Sequence, residues 1–361
     1  MQTERNLYQQ VEAVPHKLIK TRQSPLVIPI FIPHSGCPHH CAFCNQTIIT
    51  NEQPRLPDSK KIEQEVAKYL KFKGKREKVQ LAFFGGTFLG LEQNQIKELL
   101  DCAEELVKKK KIESIRFSTR PDTITRESLE FLKNYSVTTI ELGAQSMDNR
   151  VLSMSKRGHT SAHTRKAMAL LKEYKFETGL QIMVGLPCET HDIAIKSARE
   201  TADLAPDFIR IYPLIILNKS LVHKWYLKGQ YTPLSLDECV TLVKEIFLIF
   251  NKKSIPVIRM GLQASEVLQN DESMVAGPWH PAFGHLVFSE IFLDKTLKIL
   301  SKTLTASTST NITLEVNPVS ESRLRGDKNY NLKKLRSLYP NTCFNIKTNP
   351  KLTPGQITIH N

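Results

Sequence analysis

Short runs rich in β-branched and aromatic residues alternate along the chain with longer segments whose apolar residues recur at helical spacing. The six runs are LVIPIFIP (26–33), VQLAFFGG (79–86), SIRFST (114–119), VTTIELGAQ (137–145), TGLQIMVGLP (178–187) and FIRIYPLII (208–216). Strands that alternate with helices pair in parallel within one sheet. The pattern therefore predicts an α/β fold with six strand-helix units, closed or partly closed as a barrel.

The same runs carry polar residues at alternate positions. Successive side chains of a strand point to opposite sides, and in a helix-covered sheet the apolar set faces the helices. Residue parity therefore predicts an inward-facing set: Arg116, Ser118, Glu141, Gly143, Gln145, Gln181, Met183, Arg210 and Tyr212. A barrel filled only for stability favours branched apolar residues in its interior, so a polar ring predicts a bound ligand. Buried water that satisfies these groups is the alternative.

Beyond residue 216 the alternation of strands and helices weakens. The segments IPVIRMGLQAS, ITLEVN and CFNIKT are typical of further strands, with an amphipathic helix before them. We predict an N-terminal extension over 1–24, a barrel core over 25–216 and a C-terminal α+β extension over 217–361. The chain has neither an apolar run long enough to span a bilayer nor the apolar core of a secretory signal near its start, which predicts a cytoplasmic protein with no membrane contact.

Charge adds a possible class of partner. Lysine and arginine number 50 against 36 aspartate and glutamate, a formal net charge of +14 that attracts polyanions at moderate salt. The excess concentrates in KFKGKREK (71–78), KKKK (108–111) and RLRGDKNYNLKKLR (323–336). Nucleic acid is therefore a permitted partner, although each run is also typical of a solvated helix face.

The stretch HSGCPHHCAFCNQ (34–46) carries the most specific chemistry. Its three cysteines, at C-x3-C-x2-C spacing, follow the first strand in the loop where barrel enzymes keep their active sites. Three thiolates can hold three irons of a four-iron cluster and leave the fourth iron open. A zinc ion held in a closed tetrahedron is the competing interpretation, with His34, His39 or His40 as the fourth ligand.

These motifs together resemble a known family. CPHHCAFC is similar to the signature of the radical S-adenosylmethionine (SAM) superfamily, and GGTF, STRPD, ELGAQS, KRGHT, GLP and HPAFG resemble its branch related to the catalytic subunit of Elongator. The resemblance implies a partial parallel (β/α)6 TIM-like barrel, a [4Fe-4S] cluster and S-adenosyl-L-methionine. It also implies a protein without the acetyltransferase domain of that branch, because residues 217–361 leave no room for one.

The family's functional residues transfer to matching positions of this chain. Cys37, Cys41 and Cys44 would ligate the cluster. The implied SAM contacts are the backbone around Phe43, the glycine motif Gly85, Gly86 and Thr87, and the side chains of Ser118, Gln145, Arg157 and Gln181. Relatives often carry glutamate where Ser118 stands, which makes a ribose contact at Ser118 the weakest of these assignments. The residue that completes hydrogen transfer to the substrate is not identified by any motif.

The resemblance implies a radical SAM enzyme. A reduced cluster would cleave SAM to methionine and a 5'-deoxyadenosyl radical, which removes hydrogen from a substrate. A reductant such as flavodoxin or ferredoxin is the implied partner, and RNA, including tRNA, is the substrate class that charge and kinship favour. Two alternatives stay open: the same chemistry on a small molecule or tetrapyrrole, and a non-catalytic iron-sulfur or SAM-binding protein.

Overall fold

The computed structural model describes residues 25–32, 36–45, 55–262, 273–303 and 310–360. The chain divides into two compact units. The first, which we call the barrel unit, contains the described residues of Lys20–Cys239 and Ile255–Pro281. The second, the carboxyl-terminal unit, contains those of Val240–Ser254 and Ala282–Asn361. The division at residues 24 and 216 stays a prediction, since 1–24 lie outside the described residues.

A parallel sheet organises the barrel unit, and within the described residues it has seven strands in the order β1-β2-β3-β4-β5-β6-β8. Two short strands, β7 and β9, pair separately and antiparallel. The strands of this unit are β1 (Leu26–Ile32), β2 (Val79–Gly85), β3 (Ser114–Thr119), β4 (Val137–Gln145), β5 (Glu177–Val184), β6 (Phe208–Pro213), β7 (Ile216–Leu217), β8 (Val257–Met260) and β9 (Met274–Ala276).

Helices connect these strands, as parallel pairing requires. They are α1 (Ser59–Leu70), α2 (Gln93–Lys108), α3 (Arg126–Leu132), α4 (Asn149–Met154), α5 (Ser161–Glu173), α6 (His191–Asp203), α7 (Leu221–Leu227) and α8 (Leu236–Lys252). Local signals fix several helix starts. Asp58 caps α1 by accepting a hydrogen bond from the Lys61 amide at 2.8 Å, and Thr125 and Ser128 form a reciprocal capping box at α3.

The predicted partial parallel barrel is confirmed, and each of the six predicted strands is present. One feature differs from the prediction: β8, from the segment IPVIRM, pairs in parallel with β6 and extends the sheet by a seventh strand. The sequence showed that this segment forms a strand. It could not show the partner, because four residues carry no information about which sheet edge they join.

The outer side of the sheet is apolar and fully covered. Ile28, Leu81, Phe117, Ile140 and Ile209 have no solvent exposure. Phe88 follows β2 in a single 3-10 turn, and its ring stacks between those of Phe83 and Phe117, with centroids 5.0 and 4.5 Å apart. This stacking anchors the turn after β2 in the core.

The carboxyl-terminal unit has its own sheet and core. Its described strands are β10 (Thr310–Val316), β11 (Thr342–Thr348) and β12 (Ile357–His360), and its helices are α9 (Phe283–Thr303), α10 (Glu321–Arg325) and α11 (Tyr330–Leu338). β10 pairs in parallel with β11 and antiparallel with β12. The core includes Phe292, Leu300, Leu314 and Leu335. The prediction of two strands at ITLEVN and CFNIKT is confirmed, and β12 was not predicted.

Membrane insertion finds no support in these helices. Among the described residues, no helix combines the length and the apolar character needed to cross a bilayer.

Gly179 tests how tightly the inner side of the sheet is packed. A Cβ atom there would lie 2.3 Å from Phe208 Cε2 and 3.1 Å from Glu141 Cγ. We expect Gly179→Ala to lower the free energy of unfolding by about 1–3 kcal/mol, the usual cost of overpacking. The measurement is denaturant unfolding of Gly179→Ala alone and in a Phe208→Leu background, where the removed ring relieves the clash. Equal losses in both backgrounds would contradict this packing.

Candidate functional site

Residues 36–45, which we call the cysteine loop, follow β1 at the carboxyl edge of the sheet. Three contacts from different elements hold this loop. Cys37 Sγ lies 3.3 Å from Thr87 Oγ1, the Ala42 amide donates to Ser155 O at 3.0 Å, and the Val222 amide of α7 donates to Ala42 O at 2.9 Å. The loop is therefore fixed by the turn after β2, by the end of α4 and by α7, all within the barrel unit.

Glycine at two positions allows the backbone of the cysteine loop and of the turn after β2 to approach closely. A Cβ on Gly36 would lie 2.4 Å from Thr87 O, and one on Gly85 would lie 2.5 Å from Ile32 O. Gly85 also has a φ of +104°, which favours glycine. Gly86 donates to Ile32 O at 3.0 Å, and Thr87 is buried. The predicted glycine motif thus packs directly against the end of β1.

Arg157 joins the cysteine loop to β4. Its Nη1 donates to Cys41 Sγ at 3.0 Å, and its Nη2 donates to Gly143 O at 2.7 Å. The residue is 6% exposed, and its buried Nε has no hydrogen-bond partner in the described part of the chain. An unpaired buried donor beside a thiol is costly unless another group accepts from it. This arrangement fits a bound anionic group next to Cys41.

His39 does not complete a tetrahedral metal site. Its ring lies over Gly158, where a Cβ would be 2.1 Å from His39 Cδ2. Among the described residues, no three His, Cys, Asp or Glu side chains are placed to hold one metal ion. Zinc ligands converge on one point, at about 2.0–2.3 Å from the metal, whereas cysteines that bind different irons of a cluster need not converge. Of the other two histidines considered, His34 lies outside the described residues and His40 is exposed.

The three thiols lie within electrostatic range of one another. Burial raises the pKa of Cys44 to about 12, with further upward contributions from Cys41 and Cys37, and the Arg157 cation opposes this shift. Three partly buried thiolates without counter-charge would repel one another. A polycationic iron cluster would stabilise all three, because a coordinating thiol is deprotonated by its metal. The residues present therefore fit a [4Fe-4S] cluster.

Two glutamines meet near the carboxyl end of β4, Gln145 as its last residue and Gln181 from the middle of β5. Gln181 Nε2 donates to Gln145 Oε1 at 3.4 Å. Gln145 is 5% exposed and has a φ of +66°, an uncommon conformation for a residue with a side chain, at the point where the register of β4 shifts. Such strain concentrates at binding sites. Ser118 pairs in register with Glu141, one layer deeper than the Gly143–Gln181 pair, and no hydrogen bond joins it to another predicted site residue in the described part.

Contacts confirm three members of the predicted inward-facing set, Arg116, Glu141 and Arg210. Arg116 Nη2 lies 2.5 Å from Glu141 Oε1, and Arg210 Nε lies 2.7 Å from Glu141 Oε2. Gln80 of β2, which parity reasoning did not include, accepts from Arg116 Nη1 at 3.2 Å. Side chains from four strands therefore form one buried polar network on the inner side of the sheet.

Sequence reasoning missed Glu189. Its carboxylate accepts from the Gly185 amide at 2.8 Å and from the Leu186 amide at 3.3 Å, after the end of β5. Burial raises the pKa of Glu189 to about 8, and these two amides partly oppose the shift. Tyr231 donates to Gly185 O at 2.6 Å on the same turn. The only sequence signal was a glutamate directly after Cys188, two residues beyond the GLP motif.

Two family models match this chain. The radical SAM superfamily model matches residues 31–200, and the radical SAM C-terminal domain model matches residues 206–292. The first span contains the cysteine loop and the strands from β2 to β5. The archaeal Methanocaldococcus infernus Elp3 with an N-terminal deletion has a similar fold, with a TM-score of 0.56 and 22% identity over 78% of this chain and 64% of that one.

Curated relatives include tRNA-modifying proteins. The tRNA uridine(34) acetyltransferase of Methanocaldococcus infernus is 24% identical over 270 residues, which cover 63% of this chain and 50% of the relative. The heme chaperone HemW of Bacillus subtilis is 24% identical over 54% of this chain and 52% of its own length. This chain spans about half the length of the curated relatives it matches.

Arg157 should control the order of the cysteine loop. We expect Arg157→Met to remove both hydrogen bonds, each worth about 1.5–3 kcal/mol for a charged donor. Amides of residues 36–45 should then exchange with deuterium at least about tenfold faster in the metal-free protein. Hydrogen exchange measured by mass spectrometry checks this. Arg199→Met, on the exposed side of α6, is the control, and equal exchange in the two variants would exclude the bridging role.

His159 should make stability depend on pH. Burial lowers the pKa of His159 to about 3, with further lowering by the Arg157 and Arg120 cations, and its Nε2 lies 3.3 Å from Ala144 O. The unfolded chain protonates near pH 6.5, so stability is full above that pH and declines as pH falls towards 3. We expect a loss of about 2 kcal/mol between pH 7 and pH 5.

We expect His159→Gln to reduce the decrease in the free energy of unfolding between pH 7 and pH 5. Urea unfolding of the metal-free protein at pH 7 and pH 5 measures it, with the exposed His191→Gln as the control. A pH dependence unchanged in His159→Gln would show that His159 titrates normally in the folded protein.

Proposed function

The chain belongs to the radical SAM superfamily, and we propose that it is an enzyme that cleaves SAM reductively to abstract hydrogen from a substrate. The observation that carries this proposal is the cysteine loop, whose three thiols lie at the carboxyl edge of a parallel sheet, with Thr87 holding Cys37 and Arg157 holding Cys41. That edge is where barrel enzymes assemble their active sites. The cofactors of this family are a [4Fe-4S] cluster and S-adenosyl-L-methionine.

Cys37, Cys41 and Cys44 are the proposed cluster ligands. When bound, the cluster and SAM would supply the one-electron chemistry that abstracts hydrogen from an unactivated carbon. Arg157 would donate a hydrogen bond to Cys41, and a hydrogen bond to a ligating sulfur changes the cluster's reduction potential. The buried outer side of β1 and β2 would exclude water from one side of the site.

The proposed SAM contacts surround this loop. The backbone near Phe43 would meet the adenine, and Gly85, Gly86 and Thr87 would receive the methionine ammonium. The proposed side-chain contacts are Ser118, Gln145, Arg157 and Gln181. Support comes from the Gln181–Gln145 hydrogen bond, which joins two amide groups of the neighbouring strands β4 and β5. Ser118 has the least support because it lies one layer deeper.

RNA is the substrate class favoured by the tRNA-modifying relatives and by the net charge of +14. Two of the basic runs that contribute to this net charge lie on one side of the barrel unit. The runs 71–78 and 108–111 precede β2 and β3, so they lie at the amino edge of the sheet, opposite the cysteine loop. They do not line the proposed site. A small molecule is therefore a second candidate substrate, and the relative named a heme chaperone favours a non-catalytic binder as the third function.

A reductant such as flavodoxin or ferredoxin would supply the electron, and we propose that the protein works in the cytoplasm.

Reductive cleavage tests the function. We expect the anaerobic, iron-loaded and chemically reduced protein to release 5'-deoxyadenosine from SAM, measured by liquid chromatography. Cys41→Ala should lose cluster absorbance and nucleoside release. Cys343→Ala is the matched control, because that thiol is exposed in the carboxyl-terminal unit, whereas Cys239 is fully buried. A loaded cluster that never yields 5'-deoxyadenosine would exclude the enzyme and favour the binder.

A further inference from the structure

The inner side of the sheet carries more positive than negative charge. Arg116 and Arg210 share the single carboxylate of Glu141, with both arginines largely buried. Glu177, at the amino end of β5, is already engaged by Thr139 Oγ1. Two buried guanidinium groups are therefore neutralised by only one carboxylate. Burying the remaining positive charge costs free energy unless an anion pairs with it.

Arg259 adds a third guanidinium to this side. It pairs with Arg210 directly after a register shift between β6 and β8. The next pair, Ile211 with Met260, continues the alternation, so Arg259 points to the same side of the sheet as Arg210. The residue is half-buried. In the part of the chain that the structure describes, no hydrogen bond or ion pair engages its side chain. Neither parity reasoning nor any motif had singled out Arg259, because β8 was not assigned to this sheet.

Aromatic side chains lie beside these cations. Phe84 of β2 faces Arg210, with the guanidinium carbon 5.2 Å from the ring centroid. Phe31 of β1 pairs with Phe84 in register and is 41% exposed, which is unusual for a phenylalanine in a sheet covered by helices. Tyr212 Oη accepts from Arg210 Nη1 at 3.3 Å. Apolar walls with a few convergent polar groups are typical of small-ligand pockets.

Resting on the proposed function, we propose that this surface binds the substrate through an oxyanion, a carboxylate or phosphate, attached to a flat aromatic or unsaturated group. Arg259 and Arg210 would contact the anion, since guanidinium groups bind carboxylate and phosphate in bidentate geometry. Phe31 and Phe84 would contact the flat group. Arg210 pairs in register with Gln181, so the site lies beside the proposed SAM contacts, within the same layer of the sheet.

The test uses the full chain, loaded with its cluster and with SAM so that the SAM site is filled. Calorimetric titration compares uridine 5'-monophosphate with uridine, and benzoate with benzamide. We expect at least one anion to bind at least tenfold more tightly than its uncharged counterpart. A preference for uridine 5'-monophosphate identifies a nucleotide as the source of the anion, and a preference for benzoate identifies a carboxylic acid.

Variants locate the binding. Arg259→Gln should weaken binding of the preferred anion at least fivefold, and Phe31→Leu should weaken it without changing the binding of inorganic phosphate or acetate. Arg199→Gln removes the same charge from the exposed side of α6 and should have no effect. Equal binding of charged and uncharged probes, or equal effects of Arg259→Gln and Arg199→Gln, would overturn the proposal.

The two proposals fail separately. Release of 5'-deoxyadenosine by the unsubstituted protein without substrate tests the proposed function, whereas binding of the preferred anion to Arg259→Gln tests the anion site. If no 5'-deoxyadenosine is released but Arg259→Gln weakens anion binding, the anion site is supported and the proposed enzymatic function is wrong. If 5'-deoxyadenosine is released but Arg259→Gln does not change the affinity for the anion, the proposed anion site is wrong.

Discussion

Every strand pairing in the main sheet of the barrel unit is parallel, so the carboxyl ends of its strands meet at one edge. The site depends on this constraint. The cysteine loop follows β1, the glycine motif follows β2, and Arg157 follows β4, more than a hundred residues after Cys41. An antiparallel arrangement would place alternate loops at opposite edges and separate these groups. Backbone hydrogen bonding between strands, rather than any contact within the site, therefore brings the candidate cofactor ligands together.

Close approach between backbone segments fixes the cysteine loop more precisely than parallel strand pairing alone. Gly36 and Gly85 leave no space for a side chain, so the cysteine loop and the turn after β2 pack backbone to backbone. Phe88 anchors the same turn in the outer core through stacked rings. The loop that carries the thiols is thereby fixed from both sides, by tight packing towards β2 and by the Arg157 hydrogen bonds towards β4. Preorganised ligands of this kind lose little conformational entropy when a cofactor binds.

The positive charges of the barrel unit lie in two different environments, the solvated amino edge of the sheet and its buried inner side. Lysine runs lie at the amino edge and are solvated, where salt screens them. The inner side holds arginines that share one carboxylate, with aromatic rings beside them. Burial makes each unpaired charge on the inner side far more consequential than one in a surface run. The net charge of the whole chain is therefore a poor guide to the ligand. The unequal number of buried arginines and carboxylates on the inner side is a better one.

Local patterns in the sequence are enough to predict the six strands, the side to which Arg116, Glu141 and Arg210 point, and the cysteine triplet with its family resemblance. These follow from period-two alternation and from spacing, which are local properties of the chain. Packing in three dimensions places β8 beside β6 and Arg259 beside Arg210, and it brings Arg157 to Cys41 and His39 over Gly158. Each of these pairs residues far apart in the chain, and their distance depends on register and packing that no local pattern encodes.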